Sequence, residues 1–188
     1  MSKKRILIIL LVAILAILVI VPIVTYNSLV SLQASVEETS ANIDTQLQRR
    51  TDLIPNLVNT VKGYTDHETA VFEAVNTARE NLMSASTMAE KSQANEEVTS
   101  ALNQLLAIAE AYPDLKSDTV YTGLMDELSG TENRIAYART EYNSAAASYN
   151  KAIRRFPAVL FTGILHLEQV DLFEAEEGAQ AVPEVNFE

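Results

Sequence analysis

The chain has 188 residues, no cysteine, five glycines, five prolines and a formal net charge of -11. Without cysteine there is no disulfide framework, thiolate metal site or thiol nucleophile, and so acidic a field repels a phosphate backbone, which argues against nucleic-acid binding. Richness in Ala, Leu, Glu, Ser and Asn, with few β-branched runs beyond the first 25 residues, predicts one all-α domain behind an apolar N-terminus.

Lys3, Lys4 and Arg5 precede Ile6 to Val24, nineteen uncharged residues that are almost all Ile, Leu, Val or Ala, interrupted by Pro22. At ~1.5 Å per residue this run spans a bilayer core. No A-x-A-like cleavage site follows it, so it reads as an uncleaved anchor rather than a processed signal. The basic residues lie before the span, and Glu37, Glu38 and Asp44 are the first charges after it. By the positive-inside rule the short N-terminus is cytoplasmic and everything from Tyr26 onward is extracytoplasmic, in the periplasm or at the cell surface.

Leu29, Val36, Ile43 and Arg50 recur every seven residues, with Leu47 between the last two, a coiled-coil-like register that predicts helix one from about Tyr26 to Gln48. Arg49 to Asn56 then reads as a corner: two arginines stop one pattern, and Asp52 with Pro55 suits the first turn of the next helix. The alternative is one kinked helix running through. A second stripe, Ile54, Val58, Val61, Thr65, Glu68, Phe72, Val75, Arg79 and Leu82, alternates steps of four and three and predicts helix two.

Thr87 and Glu90 have capping-box spacing and predict the start of helix three, whose stripe is Val98, Leu102, Leu105, Ala109 and Tyr112. Pro113 ends it, Asp114 to Asp118 reads as a turn, and Ser117 or Asp118 is the next N-cap. Helix four carries Leu124, Leu128, Thr131, Ile135, Arg139, Tyr142, Ala146, Tyr149, Ile153 and Phe156, closed by Pro157, with Gly130 a possible irregularity. Ala158 to Leu167 is apolar but too short to cross a membrane, and is expected to pack under the helices or lie on the membrane surface. Glu168 to Glu188 holds seven acidic and no basic residues and is expected to be mostly extended or mobile.

Short connections make successive helices antiparallel neighbours, so the expected architecture is an antiparallel four-helix bundle over residues 26–157, behind an anchor over 1–25 and ahead of an apolar segment and acidic tail over 158–188. Two corners, Arg49 to Asn56 and Glu110 to Lys116, should then share the end away from the membrane. Arg49, Arg50, Asp52, Asn56, Glu110, Tyr112 and Asp114 form the candidate interaction surface. Arg49 and Arg50 would either clamp an anionic partner there or cap helix one and pair with Asp52, Glu110 or Asp114.

Gln46-Leu47-Gln48-Arg49-Arg50-Thr51-Asp52-Leu53-Ile54-Pro55-Asn56-Leu57-Val58, Val61-Lys62-Gly63-Tyr64, Glu110-Ala111-Tyr112-Pro113-Asp114-Leu115-Lys116, Glu132-Asn133-Arg134-Ile135-Ala136 and Tyr142-Asn143 resemble the LemA family. So do Tyr26-Asn27-Ser28-Leu29-Val30 and, in the tail, Leu172-Phe173-Glu174-Ala175-Glu176-Glu177, so the resemblance covers nearly the whole chain. It implies an N-terminally anchored four-helix bundle with no established enzyme activity. A relative takes part in forming magnetosome membranes, which implies membrane organisation by analogy.

Glu68, Arg79 and Arg139 occupy stripe positions and Glu132 lies beside one, so these four are expected to form interhelical ion pairs that set helix register. His67 and His166 fit no metal spacing, and no serine sits in a hydrolase-like motif; neither a catalytic, a metal nor a cofactor site is nominated, and no small-molecule substrate is identifiable. Tyr64, Tyr112, Tyr142 and Tyr149 read as core or interface aromatics, and Asn143 and Asn150 as hydrogen-bonding across helices. The expected function is non-enzymatic: an envelope interaction or adaptor module that binds proteins or lipids. A self-assembling membrane scaffold subunit is the alternative, and an enzyme a distant third.

Overall fold

In the computed structural model, residues 3–65 and 67–173 are described, and every regular element among them is helical. The helices are α1 (Lys3–Lys62), α2 (Thr69–Ser84), α3 (Met88–Ala109), α4 (Pro113–Lys116), α5 (Thr119–Ile153) and α6 (Thr162–Leu165), with a 3₁₀ turn at Ala158–Leu160 before the last. The chain divides into two compact units, one of residues 1–40 with 142–170 and the other of 41–141 with 171–188.

The expected corner at Arg49 to Asn56 is absent, because α1 runs through it to Lys62. Pro55 has no N–H to donate to the carbonyl one turn back, which is that of Thr51. Arg79 of α2 supplies the missing donor, its Nε reaching the Thr51 carbonyl oxygen at 2.9 Å. The vacancy left by proline is therefore filled from a neighbouring helix, and the helix continues. The 54–82 stripe is consequently two helices rather than one: Ile54 to Val61 lie on α1, Phe72 to Leu82 on α2, and Thr65 and Glu68 fall in the connection between them.

Within the unit of 41–141, Ile43, Leu47, Ile54, Leu57, Val58 and Val61 of α1 are buried, as are Phe72, Val75 and Leu82 of α2 and Val98, Leu102 and Leu105 of α3. From α5 come Leu128, Thr131 and Ile135. Lys62 lies 5.1 Å from the Phe72 ring centroid. Asp44 pairs with Lys91 of α3 at 2.5 Å, and Asn81 donates to Glu97 at 2.8 Å. The α3 start is the capping box expected of Thr87: the Glu90 backbone N–H donates to Thr87 Oγ1, and Glu90 Oε2 accepts from the backbone N–H groups of Thr87 and Ser86.

α3 stops at Ala109, ahead of Tyr112, and Pro113 opens the single-turn α4 where a plain turn was expected. Asp118 then caps α5, its Oδ1 accepting from the Val120 N–H at 2.7 Å and the Tyr121 N–H at 3.1 Å. α5 passes through Gly130 without interruption. It ends at Ile153, so Phe156 is outside the helix and 78 % exposed rather than part of the buried stripe.

In the unit of 1–40 with 142–170, Leu29 and Val36 of α1 are buried, together with Tyr142, Ala146, Tyr149 and Ile153 of α5 and Ala158 beyond it. Burial pushes the Tyr149 hydroxyl pKa up. Asn150 does not bridge helices. Its carboxamide clamps the returning strand of chain, donating to the Val170 carbonyl at 2.8 Å and accepting from the Val170 N–H at 2.9 Å. Farther on, in the other unit, Phe173 is buried and the Arg139 guanidinium lies 4.7 Å from its ring centroid. The beginning of the acidic tail is thus irregular but held, and Glu174 to Glu188 lie outside the described residues.

Two outcomes test this account. Arg79→Ala should cost about 1–3 kcal/mol by stranding the buried Thr51 carbonyl, and the loss should shrink in a Pro55→Ala background, where residue 55 regains an N–H for that oxygen; urea unfolding followed by circular dichroism in detergent measures both arms. The second concerns acid. Glu90's carboxyl is lowered from 4.5 to about 2, first by the Thr87 backbone hydrogen bond and then by that of Ser86. A depressed folded pKa makes its contribution full above about 4.5 and lost as pH falls towards 2. Glu90→Gln should flatten the unfolding midpoint across that window.

Candidate functional site

Continuity of α1 carries Arg50 away from any corner and into the interior. It is 13 residues before Gly63, where the helix has ended, or about 20 Å along the axis at 1.5 Å per residue. Arg50 is only 4 % exposed. Its Nη1 donates to Asn95 Oδ1 at 2.5 Å and its Nη2 to Thr99 Oγ1 at 3.0 Å, both on α3. Its Nη1 also stands 2.8 Å from Glu132 Oε2 of α5, an ion pair outside hydrogen-bond direction. One guanidinium therefore ties three helical segments. Its planar fork suits this, since it offers several fixed donors at once.

A cleft of about 270 Å³ opens beside it, lined by Leu57, Leu102, Leu106, Met125 and Leu128 with Arg50, Thr99, Asn103, Ser129 and Glu132. That volume is below the ~300 Å³ at which small-molecule sites usually begin. The polar lining of the cleft consists of Arg50, two hydroxyls (Thr99 and Ser129), the Asn103 amide and the Glu132 carboxylate, and neither histidine reaches it. Among the described residues, no group of three or more His, Asp or Glu side chains is placed to hold a metal.

The candidate interaction surface separates into two places. Arg49 is exposed and pairs with Glu127 at 2.6 Å, a bond that holds the Glu127 carboxyl below its ordinary pKa. Asp52 accepts from Gln48 at 2.8 Å, and the Asn56 carbonyl from Thr60 Oγ1 at 2.8 Å; both are exposed mid-helix residues on α1. Arg49 and Arg50 accordingly pair with Glu127 and Glu132 of α5.

Glu110, Tyr112 and Asp114 do lie by a corner, but it is the connection after Lys62. Tyr112 donates its hydroxyl to Thr65 Oγ1 at 3.0 Å, and Tyr64 donates to Asp118 Oδ2 at 2.7 Å. The latter bond lowers the Asp118 pKa, with help from the Tyr121 and Val120 amides, and raises that of Tyr64. Glu110 pairs with Lys116 at 3.5 Å, and Asp114 is exposed.

Of the expected ion-pair residues, Glu132 pairs with Arg50 rather than with another member of the expected set. Arg79 serves a backbone carbonyl, Arg139 covers Phe173, and Glu68 precedes α2 as its N-cap residue without a side-chain cap bond. Arg50 was legible as the fourth member of the heptad that began at Leu29, a position that faces inward. Pro55, which suits a helix start, masks that signal by suggesting a corner just after Arg50.

A family model described as LemA family matches residues 39–187. The chain belongs to the LemA family. Among curated relatives, Magnetosome protein MamQ of Magnetospirillum gryphiswaldense is 26 % identical, the match covering 80 % of this chain and 65 % of that protein. Magnetosome protein MamQ 2 of Paramagnetospirillum magneticum is 24 % identical, with 81 % and 65 % covered. Protein LemA of Metamycoplasma hominis is 28 % identical, with 80 % and 69 % covered. This LemA-family chain thus spans about 65 % of the length of the magnetosome relatives it matches.

Removing the cation of the Arg50 centre by Arg50→Met should destabilise the protein by about 3 kcal/mol, because Glu132 loses its counter-ion and Asn95 its donor. Arg50→Met with Glu132→Leu should recover most of that loss. Chemical unfolding of the two variants beside the parent reads the comparison.

Proposed function

We propose that this LemA-family protein is a membrane-anchored, non-enzymatic helical bundle that acts as an interaction or adaptor module at the cell envelope. The observation that carries the reading is the two-part character of α1. Its residues Ile6 to Ile20 are all exposed and apolar, with no packing partner among the described residues, while Leu29 to Val61 of the same helix present a buried stripe. An apolar surface of that length is costly in water and is matched by the ~30 Å core of a bilayer.

Behind that anchor, α1, α2, α3 and α5 read as an antiparallel four-helix bundle. Support comes from the contact pairs: Lys62 with Phe72 and Thr51 with Arg79, and likewise Tyr64 with Asp118 and Arg49 with Glu127, in both of which numbers fall along one segment as they rise along the other, while Asn81 with Glu97 sets α3 beside α2. The basic residues before the apolar run favour a cytoplasmic N-terminus and an extracytoplasmic bundle. Its polar groups are engaged in holding helices together, which favours binding over chemistry.

A second reading, a self-assembling subunit of a membrane-organising scaffold, is favoured by the magnetosome proteins among the relatives. Light scattering of the detergent-solubilised chain separates the two, a monomer supporting the adaptor and a large homo-oligomer the scaffold. Crosslinking in native membranes followed by mass spectrometry identifies the partner. For topology, an alkaline phosphatase fused after Glu188 should be active, and a cytoplasm-only reporter there silent; the reverse result would overturn the orientation.

A further inference from the structure

We propose that Arg154 to Leu165 forms a second membrane contact, lying on the surface of an anionic bilayer beside the anchor. The first observation is charge. From Tyr142 to Leu167 there is no acidic residue, while Lys151, Arg154 and Arg155 are basic and exposed, in a chain whose net charge is -11. A local excess of positive charge against so negative a background marks a surface meant for anions.

The second observation is apolar exposure. Phe156, Leu160 and Ile164 are 78 %, 61 % and 76 % exposed, and Val159 and Leu165 are exposed beside them. This is not a loose segment turned out at random. Ala158 is buried and Phe161 half-buried, so the inward positions are packed while the larger side chains point away. The backbone is also closed on itself: Val159 N–H donates to the Arg155 carbonyl, Leu160 to Pro157, Phe161 to Ala158, Leu165 to Phe161 and Leu167 to Thr162, all at 2.8–3.1 Å. Satisfied amides are what entry into an interface of low polarity demands.

The third observation is continuity with the anchor, and here the inference rests on the proposed membrane span. Residues 1–40 and 142–170 belong to one compact unit. In it the inward stripe of α1 begins with the half-buried Val21, Pro22 and Thr25, at the end of the apolar run, whereas Ile6 to Ile20 are wholly exposed. Within that unit, which residues 142–170 share, α1 is partly covered from the end of the apolar run onward and fully exposed before it. A segment so placed meets the bilayer at headgroup level, where amphipathic aromatic and basic groups are stabilised. A second copy of the chain is the weaker occupant, since a two-fold contact would set Lys151, Arg154 and Arg155 against themselves.

The chain has no tryptophan, so single substitutions report depth without background. Full-length protein carrying Ile14→Trp, Leu160→Trp or Ile164→Trp is reconstituted in phosphatidylcholine vesicles with and without phosphatidylglycerol, using acyl chains brominated near the headgroup (to read 160 and 164), brominated near the chain end (to read 14) or left unmodified. The expected result is blue-shifted, bromine-quenched emission at 160 and 164 in anionic vesicles, lost when Arg154→Glu and Arg155→Glu are added, with Ile14→Trp unaffected by those changes. Quenching at 14 without quenching at 160 or 164 overturns the surface contact and leaves the anchor standing. Absence of quenching at 14 as well overturns the anchor and the contact together. Emission at 160 that responds to protein concentration but not to bromine assigns the face to a second copy and likewise overturns the proposal. Circular dichroism of each variant confirms that the helices are retained.

Discussion

Pro55 leaves one backbone acceptor in α1 without its intrahelical donor, and Arg79 Nε donates to it, at the Thr51 carbonyl. Proline within a helix removes a donor and crowds the preceding turn, which usually kinks or ends the helix at a cost of ~3 kcal/mol. Here the orphaned acceptor is buried, with Thr51 only 2 % exposed, so water cannot make good the loss. A charged donor from α2 meets it. Because α1 survives Pro55, its inward stripe stays in phase from Ile43 to Val61, and the turn falls at Gly63 to Glu68.

That phase decides where the ions go. Had the chain turned at Arg49, both arginines would have stood at a helix end in solvent. Instead Arg49 lies on the exposed side of α1 and Arg50 on the buried side. The Arg49–Glu127 pair is about half exposed on each partner and belongs to the class worth at most ~1 kcal/mol, whereas Arg50 is enclosed by Asn95, Thr99 and Glu132. A buried cation tolerates few neighbours, and those on α3 and α5 admit only one sliding position of each helix. The centre thus acts on the register of the three helices it joins.

The exposed apolar surface falls into two classes. On α1 it forms an unbroken cylinder over Ile6 to Ile20, the form a lipid environment matches. After Ile153 it is one-sided, carried by short turns and flanked by arginine, the form an interface matches. The Asn150 carboxamide holds the chain that leaves this second surface by imitating a backbone pairing with Val170, so the turns are pinned at both ends.

Helicity, the apolar run, the Thr87–Glu90 box and a cap at Ser117 or Asp118, which the structure gives to Asp118, were legible in the sequence, because each depends on residues close along the chain. The LemA family was legible for the same reason, in contiguous words such as Arg49 to Val58. The unbroken spacing of Ile43, Leu47, Ile54, Leu57 and Val61, with glycine at 63, also held the signal for a continuous α1, but a local rule for proline outweighed it. What only the tertiary structure decided were the partners that sequence distance hides: Arg79 for Thr51, Glu132 for Arg50, Phe173 for Arg139 and Val170 for Asn150. A side chain's spacing tells which way it faces, whereas the donor or acceptor it meets depends on which helix stands opposite and at what height.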